Sequence, residues 1–111
     1  MRIAEEISNR SEDFMKLLTN HKVNVLYAFG SSVTDKFDPS SSDIDLVVEI
    51  DDTDPIERGE KLISLWDNLE NFFQRKVDLL TTSSIKNPYL KKSIDATKVL
   101  IYDRSRKEVL I

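Results

Sequence analysis

Cysteine is absent from this 111-residue chain, which excludes a disulfide scaffold, a thiolate nucleophile and a cysteine-based zinc site. His21 is the only histidine, so a histidine-rich metal site is excluded as well. No apolar run approaches the roughly 18 residues that span a bilayer. The N-terminus alternates charged and apolar residues and lacks the apolar core of a secretory signal. We therefore expect a cytoplasmic protein without membrane contact.

Basic residues are in the minority, with sixteen against twenty acidic ones and a formal net charge of −4. A domain that binds duplex nucleic acid usually presents a basic face, so direct duplex binding is not expected. A nucleotide remains compatible with this charge, because Mg²⁺ can accompany it. The composition is ordinary for a globular protein, and the length suits a single domain over residues 1–111.

Hydrophobic periodicity predicts helices at residues 3–18 and 55–74, and a polar helical connector at 84–95. Strands are expected at Val23–Phe29 and at residues 43–50, 76–81 and 98–102. A loop is expected over 33–42, with one helical turn near 34–37. This order predicts an α/β (α+β) fold in which helices flank one small mixed β-sheet.

Two further features leave alternatives open. The apolar terminus Val109-Leu110-Ile111 either forms a last short strand of the domain or adds to a sheet edge or a partner. Tyr89, beside Pro88, is expected to pack within a loop, with a partner contact as the alternative.

Asp43 and Asp45 form the first candidate site. Residues i and i+2 of a strand point to the same face, so the two carboxylates lie side by side while Ile44 is buried on the other face. Like charges this close repel each other unless a cation neutralises them, and Mg²⁺ prefers carboxylate oxygens. An Asp-x-Asp pair also occurs where the first residue caps a turn and the second lies on a solvated face.

Gly30 and Ser31 end the preceding strand. Glycine permits a close backbone approach that a side chain would block, and N–H groups at such a turn, with a hydroxyl beside them, can hold phosphate oxygens. A simple turn is the alternative. The chain has only two glycines, and one of them is at this position.

Asp78 lies within the apolar segment Val77-Asp78-Leu79-Leu80. An unpaired buried charge costs several kcal/mol, so Asp78 is expected to be exposed, paired or bound to a cation. The alternative to a cation-binding role is a place on the exposed face of an edge strand.

The combination resembles the signature of the polymerase-β-type nucleotidyltransferase superfamily. Its parts are Phe29-Gly30-Ser31, eleven intervening residues, Asp43-Ile44-Asp45-Leu46, and a later strand that carries Asp78. The short length is similar to that of the minimal nucleotidyltransferase (MNT) group. The likeness extends over nearly the whole chain in the order of elements.

The resemblance implies a fold, a mechanism and roles for residues. Family members place three carboxylates around two Mg²⁺ ions, so Asp43, Asp45 and Asp78 would be the catalytic and metal-binding residues. Asp78 would lie near the acceptor and help to accept the proton of the attacking hydroxyl. Gly30 and Ser31 would hold the triphosphate of ATP.

The chain departs from the family pattern in two ways. The usual MNT spacing between Gly-Ser and Asp-x-Asp is about ten residues, against eleven here. Family members often carry an arginine soon after Gly-Ser and a glycine a few residues later, where this chain has Ser32-Val33-Thr34-Asp35-Lys36. The missing arginine weakens phosphate neutralisation, for which Lys36 is a partial substitute.

Three functions are considered. In the first, the chain transfers AMP from ATP to a hydroxyl. MNT proteins are commonly paired with HEPN-domain toxins, so the resemblance implies an antitoxin that modifies a tyrosine of such a helical partner. In the second, the chain is an antitoxin that acts by contact alone. In the third, it is a subunit of a small-molecule nucleotidyltransferase, completed by a helical partner or as a homo-oligomer.

Overall fold

A computed structural model describes residues 2–34, 43–106 and 108–109, and this part of the chain contains four α-helices and five strands. The helices are α1 (Arg2–Asn9), α2 (Ser11–Asn20), α3 (Pro55–Phe73) and α4 (Pro88–Thr97). The strands are β1 (Val23–Phe29), β2 (Ile44–Ile50), β3 (Val77–Thr81), β4 (Val99–Asp103) and β5 (Glu108–Val109). Short 3₁₀ turns occupy Gly30–Val33, Thr82–Ser84 and Arg104–Arg106.

The five strands form one mixed sheet in the order β3-β2-β1-β4-β5. Only β2 and β3 are parallel, and α3 is the crossover between them; the other neighbouring pairs are antiparallel. The predicted α/β class and small mixed sheet are therefore confirmed.

Helices α1, α2 and α3 cover one face of the sheet and form the main core. Alternate residues of β2 point into it, and the largest fully buried side chains from the three helices pack against them. These helical side chains are Ile3, Ile7, Phe14, Leu18, Leu65 and Leu69. Helix α4 covers part of the other face, where Ile94 packs with Phe29 and Val47. The rest of that second face carries the candidate site.

The prediction of one helix over residues 3–18 is wrong, because the helix is interrupted at Arg10. Arg10 has φ −136° and ψ 45°, outside the helical region. Its guanidinium donates to the Phe72 carbonyl oxygen at 2.6 Å and lies 3.9 Å from the Phe72 ring centroid. The apolar spacing continues across the break, so periodicity alone does not reveal it.

The last short strand expected from the sequence is present, and α3 begins with a side-chain cap. Asp54 caps α3, accepting from the N–H groups of Ile56 and Glu57. Val109 pairs with Tyr102 in β5, so a last short strand exists, while Leu110 and Ile111 lie outside the described residues. The expected turn near 34–37 and most of the loop 33–42, with Lys36, also lie outside them.

The expectation for Tyr89 is wrong. This residue belongs to the first turn of α4 and its side chain is 84% exposed rather than packed in a loop. Within the part of the chain that the structure describes, no helix is both long and apolar enough to cross a bilayer.

Candidate active site

Asp45 lies at the centre of a row of residues that crosses three strands. It pairs with Phe29 of β1 on one side and with Asp78 of β3 on the other. Adjacent strands are about 4.8 Å apart, and residues in register present their side chains to the same face. The topology thus brings Asp45 and Asp78 together on the face that α1, α2 and α3 leave open.

Asp78 lies on the exposed face of an edge strand and is also in register with Asp45. Its strand β3 is the edge of the sheet and its side chain is exposed, as the structural alternative requires. It is nonetheless directly beside Asp45. Exposure keeps Asp78 accessible to a molecule that approaches over the sheet.

Asp43 precedes β2 by one residue instead of belonging to it. Its exposed carboxylate lies 3.9 Å from the Lys76 ammonium, between Asp43 Oδ2 and Lys76 Nζ. The next residue, Ile44, is fully buried on the opposite face, as the alternation predicts. Asp43 and Asp45 therefore share the open face, with Asp43 at its outer end.

Within this row, burial and charge repulsion act most strongly on the Asp45 carboxyl. Partial burial, followed by repulsion from Asp78 and then from Asp43, raises the pKa of the Asp45 carboxyl from 3.8 to about 6. A divalent cation at this position would relieve the same repulsion. Hard cations such as Mg²⁺ prefer carboxylate oxygens, so the chemistry of the donor set fits this ion.

The side chains are not arranged as a closed metal cage. Among residues 2–34, 43–106 and 108–109, no three Asp, Glu or His side chains converge closely enough to hold an ion. The exposed Asp43 carboxylate lies nearest to the Lys76 ammonium, at 3.9 Å. The assignment of Asp43, Asp45 and Asp78 as metal ligands stays a prediction.

Gly30 has a left-handed backbone conformation and lies against the Asp45 carboxylate. Its φ is +63°, a left-handed conformation that other residues adopt only with strain. A β-carbon at this position would lie 2.9 Å from Asp45 Oδ2, closer than real β-carbon contacts allow. The close approach inferred from the sequence is therefore present, and the atom that requires it is a site carboxylate.

The phosphate-binding role expected of Gly30 meets one obstacle in this conformation. Its N–H donates to the Thr97 hydroxyl at 3.1 Å, so this group is already bonded. Ser31 differs, because neither its N–H nor its hydroxyl has a bonding partner among the described residues, although its carbonyl accepts from Thr34. Ser31 is the more available of the two residues.

Sequence reasoning missed Ser32 and Thr97. Ser32 is fully buried, and its hydroxyl accepts the Asp45 N–H at 2.8 Å, which ties the turn to β2. Thr97 ties the same turn to α4. The one available signal was that a small hydroxyl residue stands soon after Gly-Ser, where the family pattern described above implies an arginine; nothing in the sequence marks Thr97.

A small cavity adjoins the row on the same face. Its volume is about 140 Å³, and Tyr27 and Val47, which pair with each other one step along β1 and β2, form part of its floor. Ile94 and Lys98 border it from the side of α4 and the residue after it. A larger cavity of about 470 Å³ lies at the far end of β2 and is lined by none of the three carboxylates.

A family model described as "Polymerase beta, Nucleotidyltransferase" matches residues 12–107. The chain belongs to this nucleotidyltransferase family. The match includes the Gly30 turn and all three carboxylates, and the nucleotidyltransferase expectation is confirmed.

Two similar proteins are from Methanocaldococcus jannaschii, and each is named "Putative protein adenylyltransferase". One is 40% identical over 86 residues, which cover 78% of this chain and 84% of that protein. The other is 35% identical over 102 residues, which cover 91% of this chain and all of that protein.

Solved structures of toxin-antitoxin systems are also similar. A chain of a toxin-antitoxin structure with AMP-PNP is 27% identical, with a TM-score of 0.58, and the match covers 86% of this chain and 76% of that one. A chain of the structure of tri-AMPylated Shewanella oneidensis HEPN toxin in complex with MNT antitoxin is 26% identical, with a TM-score of 0.51. That match covers 96% of this chain and 76% of that one. The resemblance to the polymerase-β-type fold and the MNT group is confirmed.

Proposed function

We propose that this nucleotidyltransferase is a protein adenylyltransferase that uses Mg²⁺ and ATP to place AMP on a tyrosine of a HEPN-type helical partner, and so acts as an antitoxin. The observation that carries the proposal is the register of Asp45 with Asp78 beside the Gly30 turn. The names of the relatives and of the toxin-antitoxin structures support a protein acceptor and a HEPN-type partner.

The row of residues suits an in-line displacement. The Ser31 turn lies beyond Asp45 on the β1 side, and Asp78 lies on the β3 side. With the α-phosphorus over Asp45, pyrophosphate leaves toward Ser31 and the acceptor hydroxyl arrives beside Asp78. The hydroxyl oxygen bonds to phosphorus, the bond to the bridging oxygen of pyrophosphate breaks, and the hydroxyl proton passes to the Asp78 carboxylate.

Mg²⁺, when bound, would neutralise the phosphates and lower the barrier electrostatically. Asp45 would be the central ligand, because its carboxyl already carries the repulsion that a cation relieves. Asp43 and Asp78 would flank it. The Gly30 backbone would press against Asp45 and fix where its carboxylate points.

The nucleoside then has room along the strands. In an in-line displacement the nucleoside lies perpendicular to the line of attack, which here means along β1 and β2. One step in that direction lie Tyr27, Val47 and the cavity of about 140 Å³. Two strand residues span about 6.6 Å, a distance comparable to the reach from a 5′-phosphate to its base.

Helix α4 presents an exposed surface beside the site to which a partner could bind. On α4, Tyr89 is 84% and Leu90 40% exposed, and Lys91 and Lys92 are exposed next to them. Single exposed apolar residues are ordinary, but these belong to the helix that borders the open face. We propose that the partner presents its tyrosine over this side of the sheet.

A labelling reaction tests the function. The chain, α-labelled ATP, Mg²⁺ and a co-expressed HEPN-domain partner are mixed, and label on the partner is measured. Asp43→Asn/Asp45→Asn should abolish labelling, while Asp67→Asn, an exposed carboxylate of α3, should leave it unchanged. Labelling that survives the double change would refute the assigned carboxylates.

A contact-only antitoxin is the second candidate. It is favoured by Ser32, a buried and hydrogen-bonded neutral residue in the segment after Gly-Ser where the resemblance implies an arginine, so residue 32 adds no positive charge for phosphates. An intact complex by size-exclusion chromatography, with no label transferred and the toxin neutralised, would establish this candidate and overturn the first.

A further inference from the structure

The hydroxyl of Thr97 is bonded on both sides. Thr97 is the last residue of α4, and its Oγ1 accepts from the Gly30 N–H at 3.1 Å and donates to the Ser93 carbonyl oxygen at 3.1 Å. A hydroxyl has a single proton to donate. The bond to Ser93 uses that proton and aims a lone pair at Gly30.

Gly30 has no side chain with which to hold its own conformation. Its left-handed φ of +63° is maintained by its surroundings, with Asp45 on one side and Thr97 on the other. The turn is fixed again at Ser32, which accepts from the Asp45 N–H. Ser31 lies between these two anchors, so the direction of its N–H is fixed by bonds that its neighbours make.

We propose that Thr97 is a positioning residue for the nucleotide-binding turn. By occupying the Gly30 N–H, it fixes the turn and leaves Ser31 as the residue that bonds the phosphate oxygens. This inference rests on the proposed nucleotide-dependent function. It moves the direct phosphate contact from Gly30 to Ser31 and gives α4 a role in the site.

The chain offers a direct way to observe this bond. Gly30 and Gly59 are its only glycines, so protein labelled with ¹⁵N-glycine gives two backbone amide signals. Gly59 lies within α3, far from the turn in sequence, and serves as an internal reference. Amide hydrogen exchange at Gly30 then reports the Thr97 contact without any need for catalysis.

Thr97→Val removes the hydroxyl and keeps the shape, while Thr97→Ser keeps the hydroxyl. We expect Gly30 exchange to accelerate on the order of threefold to tenfold in Thr97→Val, in line with the loss of one hydrogen bond. Thr97→Ser should restore wild-type exchange, and Gly59 should not change in either variant.

Thr19→Val is the matched control. Thr19 also lies at the end of a helix, and its hydroxyl donates to the Met15 carbonyl oxygen four residues earlier, at 2.6 Å. It makes the same kind of bond within its helix but has no contact with the turn. A general effect of removing a helix-end hydroxyl would appear in Thr19→Val, and a positioning effect would not.

Binding of AMP-PNP with Mg²⁺ completes the test. The dissociation constant should rise about threefold to tenfold in Thr97→Val and return to the wild-type value in Thr97→Ser. Unchanged Gly30 exchange and unchanged affinity in Thr97→Val would overturn the proposal. So would tighter binding in Thr97→Val together with a nucleotide-dependent shift of the Gly30 amide, because Gly30 would then be the phosphate donor.

Failure of the broader function has a different signature. If wild-type protein binds no AMP-PNP while Gly30 exchange still depends on Thr97, the hydrogen bond exists but the nucleotide-binding turn does not, and both the proposed function and the positioning role fall. If wild-type protein binds the nucleotide and Thr97→Val does so equally well, only the positioning role falls.

Discussion

Gly30 and Asp45 are in contact such that a single methyl group on Gly30 would collide with the Asp45 carboxylate, 2.9 Å from Oδ2. The contact joins the proposed nucleotide-binding turn to the central carboxylate. The position of one therefore depends on the identity of the other.

Gly30→Ala should lower both stability and nucleotide binding. The left-handed φ costs an alanine about 1–2 kcal/mol, and the end of the Asp45 side chain must shift to admit its β-carbon. Gly59→Ala is the matched control, because a β-carbon there meets nothing within 4 Å and the residue is inside α3. It should stabilise the protein by up to about 1 kcal/mol. Urea unfolding of the two variants should give shifts of opposite sign.

Asp45→Asn should stabilise the protein at neutral pH and lose that advantage in acid. The folded state raises the Asp45 pKa from 3.8 to about 6, so between these values it holds more protons than the unfolded chain. The stability of the wild type consequently falls as the pH rises from about 4 to about 6. Asn carries no charge and escapes this loss, on the order of 1 kcal/mol after discounting for solvent screening.

Unfolding free energies from pH 4 to pH 8 measure this difference. Comparing the two proteins isolates the contribution of Asp45. Asp52 and Asp103 contribute to pH dependence with the opposite sign, because hydrogen bonds from Lys61 and Ser105 lower the pKa values of these two carboxyls. An advantage that is the same at every pH would contradict the assignment. With Mg²⁺ present, the wild type should recover stability at neutral pH and Asp45→Asn should not.

Ser31→Ala and Ser32→Ala should separate binding from stability. Ser32→Ala removes a fully buried hydroxyl and leaves the partly buried N–H of Asp45 without its acceptor, which should cost about 1–3 kcal/mol. Ser31→Ala should change stability by less than about 0.5 kcal/mol and weaken AMP-PNP binding. Thermal unfolding and calorimetric titration of both variants provide the comparison. Equal effects of the two changes on both readouts would argue against distinct roles.

Trp66→Phe should destabilise the edge of the sheet. The Trp66 indole N–H donates to the Val77 carbonyl oxygen at 2.7 Å, and the loss of this bond should cost about 1 kcal/mol. Glu70 accepts the Val77 N–H at 3.0 Å, and Glu70→Gln keeps an acceptor there, so it should be nearly neutral. Circular dichroism during urea unfolding compares the variants. A neutral Trp66→Phe would show that this bond contributes nothing.

The sequence predicts the parts of the fold that depend on neighbouring residues and misses those that depend on distant contacts. Helix α3 is predictable from its apolar stripe and its Asp54 cap. Strands β1 and β3 are predictable from their apolar composition. The break at Arg10 depends on Phe72, 62 residues later, which no local pattern can show. Likewise, exposure of Tyr89 depends on how α4 lies against the sheet.

The candidate site divides in the same way. Asp43, Asp45, Asp78 and Gly30 form a recognisable spacing, because carboxylates in apolar strands and a rare glycine stand out. Ser32 and Thr97 do not, since hydroxyl residues are common and their value here comes from partners 13 and 67 positions away. The sequence also suggests Gly30 as a phosphate donor, while its N–H is already bonded to Thr97.

The outer edge of β3 has one more consequence. Its Val77 backbone is bonded by Trp66 and Glu70, and its Thr81 backbone by the Ser84 hydroxyl. On the outer edge of β3, only the backbone groups in the middle of the strand remain free, which is too few for another chain to pair along it. In the proposed reaction, an acceptor polypeptide therefore cannot pair with β3 as a sixth strand next to Asp78. The acceptor would have to approach over the open face of the sheet. This direction favours a target hydroxyl at the tip of a loop or on the side of a helix.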